Sequence, residues 1–243
     1  MNYAKVAVII PTYNERQNIL WLIEQLMAVM PGAKIVIVDD NSPDQTALVI
    51  KSKYGKSKTV FLLVGIKKQG RGAAVLRGFN FAYHQLSSQI MVEMDADHSH
   101  QPQLLPQMIS LVNQQTVVSA SRYLPGSSIT GWSKLRVVFS HLANWAVKIF
   151  LSSPLTDSTN GFRAYPRSAI QVLITTRLLT ANYVMLAETT ALLTGRGFEY
   201  REVVSHFPNR RVGQSNTNLR LAFQSLADLS KIWFRYRLEK SNT

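Results

Sequence analysis

Two aspartates one residue apart are the residues of this 243-residue sequence best suited to chemistry. Asp95 and Asp97 follow a mostly apolar run, 91–94, that is typical of a buried strand. Alternate side chains of a strand point to one face, so both carboxylates would emerge together at its carboxyl end. Neighbouring carboxylates repel unless a proton or cation lies between them, and oxygen ligands suit Mg2+ or Mn2+. The pair indicates a divalent-metal site; an Asp-rich turn after a strand is the structural alternative.

Two further polar clusters also follow segments that are typical of buried strands. The apolar segment 5–10 stops at the polar residues 11–15, and the apolar segment 34–38 stops at 39–44. Apolar residues recur at helical spacing between them, so strand, helix and strand predict a right-handed βαβ unit. Ligands of open parallel sheets bind beyond the carboxyl ends of the strands. We therefore expect these two clusters to share one crevice with 95–100.

These clusters resemble the signatures of the inverting family 2 glycosyltransferases, which have the GT-A fold. The matching segments are Ile10–Glu15, Val38–Asp44, Asp95–Asp97, the glycine-rich Gly70–Ala74 and Ser121–Tyr123. The segments 131–136, 157–163 and 207–215 resemble the branch of polyprenol (dolichol) monophosphate mannose synthases. The resemblance covers about residues 5 to 220.

The resemblance implies both an architecture and a reaction. The expected fold is α/β: one GT-A domain over 1–218, with a Rossmann-like, mostly parallel sheet flanked by helices. A basic amphipathic helix over 219–243 would follow and could associate with a membrane. The implied reaction is inverting transfer of a hexose, foremost mannose from GDP-mannose, to a polyprenyl phosphate such as dolichyl phosphate. Another donor such as UDP-glucose, and a saccharide hydroxyl as acceptor, remain alternatives.

The resemblance also implies roles for individual residues. Asp97 is the expected direct metal ligand, Asp95 would lie near the ribose and the metal, and Arg122 completes the catalytic set. These three residues are expected to contact the nucleotide-sugar together with Pro11, Tyr13, Glu15, Val38, Asp40, Ala96, Arg210 and Asn216. The residues expected to bind the acceptor phosphate are Lys134, Arg136 and Arg163.

Some of these residues have structural interpretations as well. Glu15 lies three residues after Thr12, a spacing typical of a capping box at a helix start. His98 and His100 could bind a metal, but a His-x-His sequence in a polar loop is more often solvated, and the carboxylates already suit Mg2+. The branch commonly has a lysine at the position of Asn216, where it would touch the diphosphate. Nearby arginines could replace its charge, namely Arg211 and Arg220.

The acceptor class decides whether the reaction needs a general base. A polyprenyl phosphate is already anionic near neutral pH, so cationic groups that bring two anionic substrates together would suffice. A saccharide hydroxyl would need a carboxylate base late in the chain, and Asp157 and Glu188 are the candidates.

Composition indicates a compact enzyme with an anionic partner. The sequence is 46% hydrophobic and 17% charged, has no cysteine, and carries a formal net charge of +13. Such a charge suits nucleic acid, an anionic membrane or phosphorylated substrates. No helix-turn-helix, zinc-finger or RNP pattern accompanies it, which argues against nucleic acid. No Gly-x-Gly-x-x-Gly follows the first strand, which argues against a dinucleotide-dependent oxidoreductase.

The sequence predicts a peripheral association with the cytoplasmic side of a membrane. A strand follows Lys5 directly, so no secretory signal is apparent, and no apolar run reaches about 18 residues. The segment 137–151 fits an amphipathic helix, and 218–240 combines aromatic with basic residues. The expected partners are therefore the membrane surface and, alternatively, a small membrane-anchoring subunit.

Overall fold

The centre of the computed structural model is a mixed β-sheet of seven strands, and the structure describes residues 2–180, 184–208 and 227–236. The strands are β1 (Val6–Thr12), β2 (Lys34–Asp39), β3 (Val60–Val64), β4 (Ile90–Glu93), β5 (Thr116–Ser121), β6 (Ser128–Ile129), β7 (Arg163–Pro166), β8 (Glu199–Val204) and β9 (His206–Phe207). β6 and β9 form a separate two-stranded sheet.

Helices connect most of these strands. They are α1 (Ile19–Val29), α2 (Thr46–Tyr54), α3 (Arg71–His84), α4 (Leu105–Leu111), α5 (Lys134–Leu151), α6 (Arg167–Thr175) and α7 (Met185–Gly195). In the part of the chain that the structure describes, none of the helices is both long and apolar enough to cross a bilayer.

The strand order β3-β2-β1-β4-β7-β5-β8 joins two halves of the chain. β1 is parallel to both β2 and β4, and β2 is parallel to β3, which confirms the predicted βαβ unit. β7 runs antiparallel between β4 and β5, and β8 is parallel to β5. The predicted α/β class, with a mostly parallel sheet flanked by helices, is confirmed.

Each face of the sheet has its own apolar core because alternate side chains of a strand point to opposite faces. Val8 and Ile10 of β1 pack with α1 and α4, whereas Ala7 and Ile9 pack with α3, α6 and α7. Val38 of β2 lies in the same core as Ala7 and Ile9. Both faces of β1 are therefore covered, as expected for the central strand of a layered α/β protein.

The first helix begins later than the predicted capping box. α1 starts at Ile19, with Asn18 as its N-cap, so Glu15 lies before the helix. The Thr12 hydroxyl instead donates to Asp39 Oδ2 at 2.8 Å. The capping-box interpretation is wrong, because β2 presents a carboxylate to Thr12 that the local sequence does not reveal.

The described part of the predicted carboxyl-terminal helix packs on the catalytic domain. Residues 227–236 are helical, and Leu229 and Ile232 are buried in a cluster with Val147 of α5 and Val184. The predicted boundary between residues 218 and 219 lies outside the described residues.

Candidate active site

Hydrogen bonds link two of the three polar clusters, those at the carboxyl ends of β1 and β2. Asp39 is fully buried, and besides Thr12 its carboxylate accepts from the Ser42 amide at 2.8 Å and the Ser42 hydroxyl at 2.6 Å. The Asn14 amide donates to the Ser42 hydroxyl at 3.0 Å. These bonds fix the loop after β1 against the loop after β2.

Asp40 connects this loop pair to the start of α3. Its Oδ2 accepts from the amides of Gln69 and Gly70 at 2.9 and 2.8 Å, and its Oδ1 accepts from Arg77 at 2.9 Å. Gly70 has a φ of 98°, a conformation that favours glycine. Asp40 thus positions the glycine-rich turn, and its predicted contact with a nucleotide stays a prediction.

Arg71, the first residue of α3, holds Asp95 in place. Its Nε donates to Asp95 Oδ1 at 2.7 Å, and its Nη1 donates to Glu93 Oε2 at 3.0 Å. Burial alone would lower the pKa of Arg71, but the charges of Asp95 and Glu93 raise it well above its ordinary value. Arg71 therefore stays cationic, and Asp95 keeps 27% of its side chain exposed.

Arg71 was not among the predicted site residues, although a signal for it exists in the sequence. Glu93 interrupts an apolar strand, and a buried carboxylate needs a cationic or hydrogen-bonding partner. Glu93 Oε1 also accepts from the Tyr165 hydroxyl at 2.6 Å.

Asp97 is buried and oriented by Ser99. Its Oδ1 accepts from the Ser99 hydroxyl at 2.5 Å and from the Ser99 amide at 3.1 Å. The turn around it needs a left-handed residue, and His98 provides this with a φ of 64°.

His100 supports the same loop. Its Nδ1 accepts from the Asp95 amide at 3.0 Å, and its ring stacks on Phe162 with 4.9 Å between centroids. Burial lowers the pKa of His100, although the charges of Asp95 and Asp97 act in the opposite direction. His98 instead makes an edge contact with Trp21 at 4.3 Å. The two histidines thus have separate structural contacts.

The carboxylates of Asp95 and Asp97 fit a magnesium or manganese ion whose remaining ligands come from the substrate and from water. Asp95 and Asp97 offer carboxylate oxygens just after the end of β4, and within the described ranges no group of three or more His, Asp or Glu side chains could hold a metal ion. Mg2+ usually takes one or two carboxylates and completes its shell with waters and substrate phosphates.

Arg122, the residue after β5, pairs with Asp157 across the site. Its Nε and Nη2 donate to the two Asp157 oxygens at 2.6 and 2.7 Å, and Nη2 also donates to the Thr159 hydroxyl at 2.7 Å. Burial alone would raise the pKa of Asp157, but the bonds from Arg122 lower it below its usual value. Burial alone would lower the pKa of Arg122, but Asp157 raises it. Both groups therefore stay charged.

An aromatic residue joins Arg122 to one of the predicted acceptor-binding residues. The Arg122 guanidinium lies 5.1 Å from the centroid of the Trp132 ring, and that of Arg136 lies 3.9 Å from the same centroid. Lys134 is exposed at the first position of α5. The structure thus brings two arginines together at Trp132, with a lysine close in the chain.

Arg163 does not fit its predicted contact with the acceptor phosphate. Its side chain is fully buried at the start of β7. The guanidinium donates at 2.9 to 3.0 Å to the carbonyls of Asn160, Leu186 and Ser158 and to the Thr190 hydroxyl. Arg163 instead ties β7 to α7.

The remaining predicted nucleotide contacts differ in what they can offer. Tyr13 is 37% exposed, with the Lys68 ammonium 3.7 Å from its ring centroid, and Glu15 accepts from the Asn18 amide group at 2.7 Å. Pro11 pairs with Val38 in the sheet. The side chains of Val38 and Ala96 lie in the apolar cores, so neither can contact a ligand with its side chain. Outside the described residues lie Arg210, Arg211, Asn216 and Arg220.

Two curated bacterial proteins are similar to this chain over most of its length. The polyprenol monophosphomannose synthase of Mycolicibacterium smegmatis is 33% identical over 229 residues, which are 92% of this chain and 86% of that protein. The undecaprenyl-phosphate mannosyltransferase of Micrococcus luteus is 29% identical over 227 residues, 93% of each chain.

Solved structures share the fold. The glucosyl-3-phosphoglycerate synthase of Mycobacterium tuberculosis in complex with UDP superimposes with a TM-score of 0.67 at 16% identity, covering 96% of this chain and 82% of that one. The complex of that enzyme with Mg2+ and UDP gives a TM-score of 0.66 at 16% identity, with 95% and 81% coverage. The sheet and its helices are thus those of the GT-A fold.

The family model for glycosyl transferase family 2 matches residues 7–174, well over half of the chain. The match runs from β1 to α6 and so contains every predicted catalytic residue. Together with the two curated relatives, it shows that the chain is a glycosyltransferase and belongs to glycosyltransferase family 2.

Proposed function

We propose that this glycosyltransferase transfers mannose from GDP-mannose to a polyprenyl phosphate, with inversion at the sugar carbon and with Mg2+ or Mn2+. The two relatives, named as a polyprenol monophosphomannose synthase and an undecaprenyl-phosphate mannosyltransferase, support the substrate class. The proposal rests on Asp157 and Glu188, the two candidates for the general base that a hydroxyl acceptor would need. Both carboxylates are buried and hydrogen-bonded.

Neither of these carboxylates is arranged to accept a proton from a substrate. Asp157 is fully buried, is bound by Arg122 through both oxygens, and has a lowered pKa. Glu188 is fully buried and accepts from the Leu179 amide and from the Thr180 amide and hydroxyl at 2.7 to 3.0 Å. A general base must reach the proton that it removes and must have a pKa near the working pH. An acceptor that is already anionic removes this requirement.

Asp95 and Asp97 would hold the donor through the metal ion. When bound, the ion would neutralise the negative charge that develops on the departing nucleotide diphosphate. Arg71 holds one carboxylate oxygen of Asp95, and Ser99 holds one of Asp97. These contacts preorganise the carboxylates, so little reorganisation is needed when the donor arrives.

Arg122 and Arg136 would bring the acceptor phosphate to the donor. Arg122 is fixed by Asp157 and Thr159, and both guanidiniums lie against Trp132. Two fixed cations lower the repulsion between an anionic acceptor and an anionic donor, and they orient the attacking oxygen. Lys134 adds a flexible positive charge at the entrance.

The test is turnover of labelled GDP-mannose, UDP-glucose and related donors with a short-chain polyprenyl phosphate, with and without Mn2+. We expect transfer from GDP-mannose that depends on the ion and gives an acid-labile, inverted glycosyl phosphate. An acid-resistant glycoside formed on a saccharide hydroxyl would contradict the proposal. If the enzyme preferred another donor, the proposed polyprenyl phosphate acceptor would stand and the proposed sugar would change.

A further inference from the structure

Helix α5 directs its large apolar side chains away from the protein. Seven of them are between 43% and 66% exposed, which is unusual for one helix of a folded domain. They recur at spacings of three and four residues and so form one continuous stripe. The stripe consists of Leu135, Val138, Phe139, Leu142, Trp145, Ile149 and Phe150.

The opposite side of α5 is firmly attached to the domain. Asn144 is buried, donates to the Ser140 carbonyl at 3.0 Å, and accepts from the Ser158 amide at 2.7 Å. Val147 packs in the apolar cluster with Val184 and Ile232. The helix already has its polar and apolar contacts on this side, so the outward stripe is a second apolar face.

The charge around this stripe suits an anionic surface. Lys134, His141 and Lys148 are exposed and seven residues apart, so they line one border of the stripe. No Asp or Glu occurs between Asp97 and Asp157, a stretch that includes all of α5. The whole chain has a formal net charge of +13. An apolar stripe edged by basic residues is typical of helices that lie in a membrane interface.

We propose that α5 lies flat in the headgroup region of an anionic bilayer, with its apolar stripe turned towards the acyl chains. At 18 residues and 1.5 Å per residue, the helix would lie along about 27 Å of the surface. A second copy of the chain fits less well, since a symmetric pair would bring two acid-free, basic surfaces together.

This arrangement couples the membrane surface to the active site. The Tyr123 hydroxyl donates to Ser140 of α5 at 2.6 Å. Asn144 of α5 lies 3.4 Å from the Thr159 hydroxyl, which accepts from Arg122. A phosphate at the level of the headgroups would thus meet Arg122 without leaving the interface. This last step rests on the proposed polyprenyl phosphate acceptor, whereas the docking of α5 does not.

Sedimentation with vesicles tests the docking. The vesicles contain phosphatidylcholine with or without phosphatidylglycerol, and the variants are Leu142→Glu and Ile149→Glu. Leu48→Glu is the matched control, because Leu48 is 62% exposed on α2. We expect each α5 variant to lower partitioning onto anionic vesicles by about tenfold or more. Leu48→Glu should bind like wild type, and all three should keep the wild-type melting temperature.

Quenching by brominated lipids provides a measurement on the folded wild-type chain. Trp145 is 63% exposed within the stripe. We expect anionic vesicles with brominated acyl chains to quench tryptophan fluorescence, and Trp145→Phe to remove most of this quenching. Quenching that is equal in wild type and Trp145→Phe would place the contact elsewhere and overturn the proposal.

Activity separates this inference from the proposed function. With a short, water-soluble polyprenyl phosphate and no vesicles, the α5 variants should turn over as fast as wild type. With a long-chain acceptor in vesicles, their turnover should fall by about the same factor as their partitioning onto vesicles. Wild type that docks but glycosylates no lipid phosphate would refute only the proposed function. Vesicle binding that is equal in wild type, Leu142→Glu and Leu48→Glu would overturn the docking. Light scattering that shows a dimer lost in Leu142→Glu, with unchanged vesicle binding, would assign the stripe to a second copy.

Discussion

At the scale of single residues, Asp97 and Asp95 have different environments despite their identical chemistry. Asp97 is buried and held by Ser99, whereas Asp95 is partly exposed and paired with Arg71. Arg71 compensates part of the charge of Asp95, and Ser99 stabilises the carboxylate of Asp97 through two hydrogen bonds. We propose Asp97 as the direct metal ligand, with Asp95 beside it.

Asp97→Ala should therefore reduce transfer by at least about 100-fold, and Asp97→Glu should leave a small residual activity. The longer glutamate keeps the charge but displaces it from its bonds with Ser99. The measurement is turnover over a range of Mn2+ concentrations, with Ser110→Ala as a control on the solvent side of α4. Full turnover in EDTA would refute metal assistance.

The Arg122–Asp157 ion pair contributes to stability and contains an arginine that we propose takes part in catalysis. Removing one partner of a buried ion pair typically costs about 3–5 kcal/mol, because the other charge remains buried alone. We expect Arg122→Met to lose both activity and several degrees of melting temperature. The double variant Arg122→Met/Asp157→Asn should recover much of the melting temperature but no activity. Recovery of activity in the double variant would show that Arg122 has no direct part in the reaction.

The same pair predicts how stability depends on pH. The pKa of Asp157 is lower in the folded chain than its unfolded value of about 3.9. The pair therefore contributes its full stability above about pH 4, and this contribution is lost as the pH falls through the folded pKa. The melting temperature of wild type should exceed that of the single variant Asp157→Asn most near neutral pH, and the two should converge in acid. A constant difference down to the lowest accessible pH would contradict this linkage.

Arg163 and Arg136 offer a matched comparison of a structural arginine with one that we propose binds the acceptor phosphate. Arg163→Met would leave three carbonyls and a hydroxyl without their donor, which we expect to cost about 2 kcal/mol or more of unfolding free energy. Arg136→Met should leave the melting temperature nearly unchanged and raise KM for the acceptor. The measurements are the acceptor KM and the melting temperature of both variants. If Arg163→Met kept its melting temperature and raised the acceptor KM, Arg163 would be the arginine that binds the acceptor.

At the scale of the elements, the strands were predictable and the contacts between distant elements were not. The apolar runs before 11–15, 39–44 and 95–100 correspond to β1, β2 and β4. The capping box failed because Asp39 takes the Thr12 hydroxyl, and Arg163 was misassigned because its carbonyl partners lie partly on α7. A motif identifies a residue type at a spacing, whereas burial and pairing depend on elements that are remote in sequence.

Helix α3 depends on close approach to the sheet, and Gly78 permits it. A Cβ at Gly78 would lie 2.4 Å from Ile9 Cγ2 and 3.0 Å from Val38 Cγ2. Because α3 also carries Arg71 and Arg77, we expect Gly78→Ala to lower the melting temperature by several degrees and to weaken donor binding. Gly195→Ala is the control, since nothing lies within 4 Å of its added Cβ. Equal melting temperatures for the two variants would show that α3 can shift without cost.

At the scale of the whole molecule, the net charge of +13 was the sequence feature that indicated an anionic partner, but not where that partner binds. The structure adds the location of an outward apolar helix, α5, whose long stripe is exposed and bordered by basic residues. Amphipathic spacing alone could not distinguish this face from one packed on a core, because both have the same period.

The order of the strands also has a consequence for how the chain is assembled during synthesis. Residues 6–93 contain four neighbouring parallel strands, so the donor side of the crevice can form early. β5, which precedes Arg122, joins this sheet only through β7, which is made about 40 residues later. Pairings between distant segments form slowly because a long loop must close first. A ribosome-bound chain would therefore contain Asp95 and Asp97 at the end of β4 well before β7 could join the strand that precedes Arg122 to the same sheet.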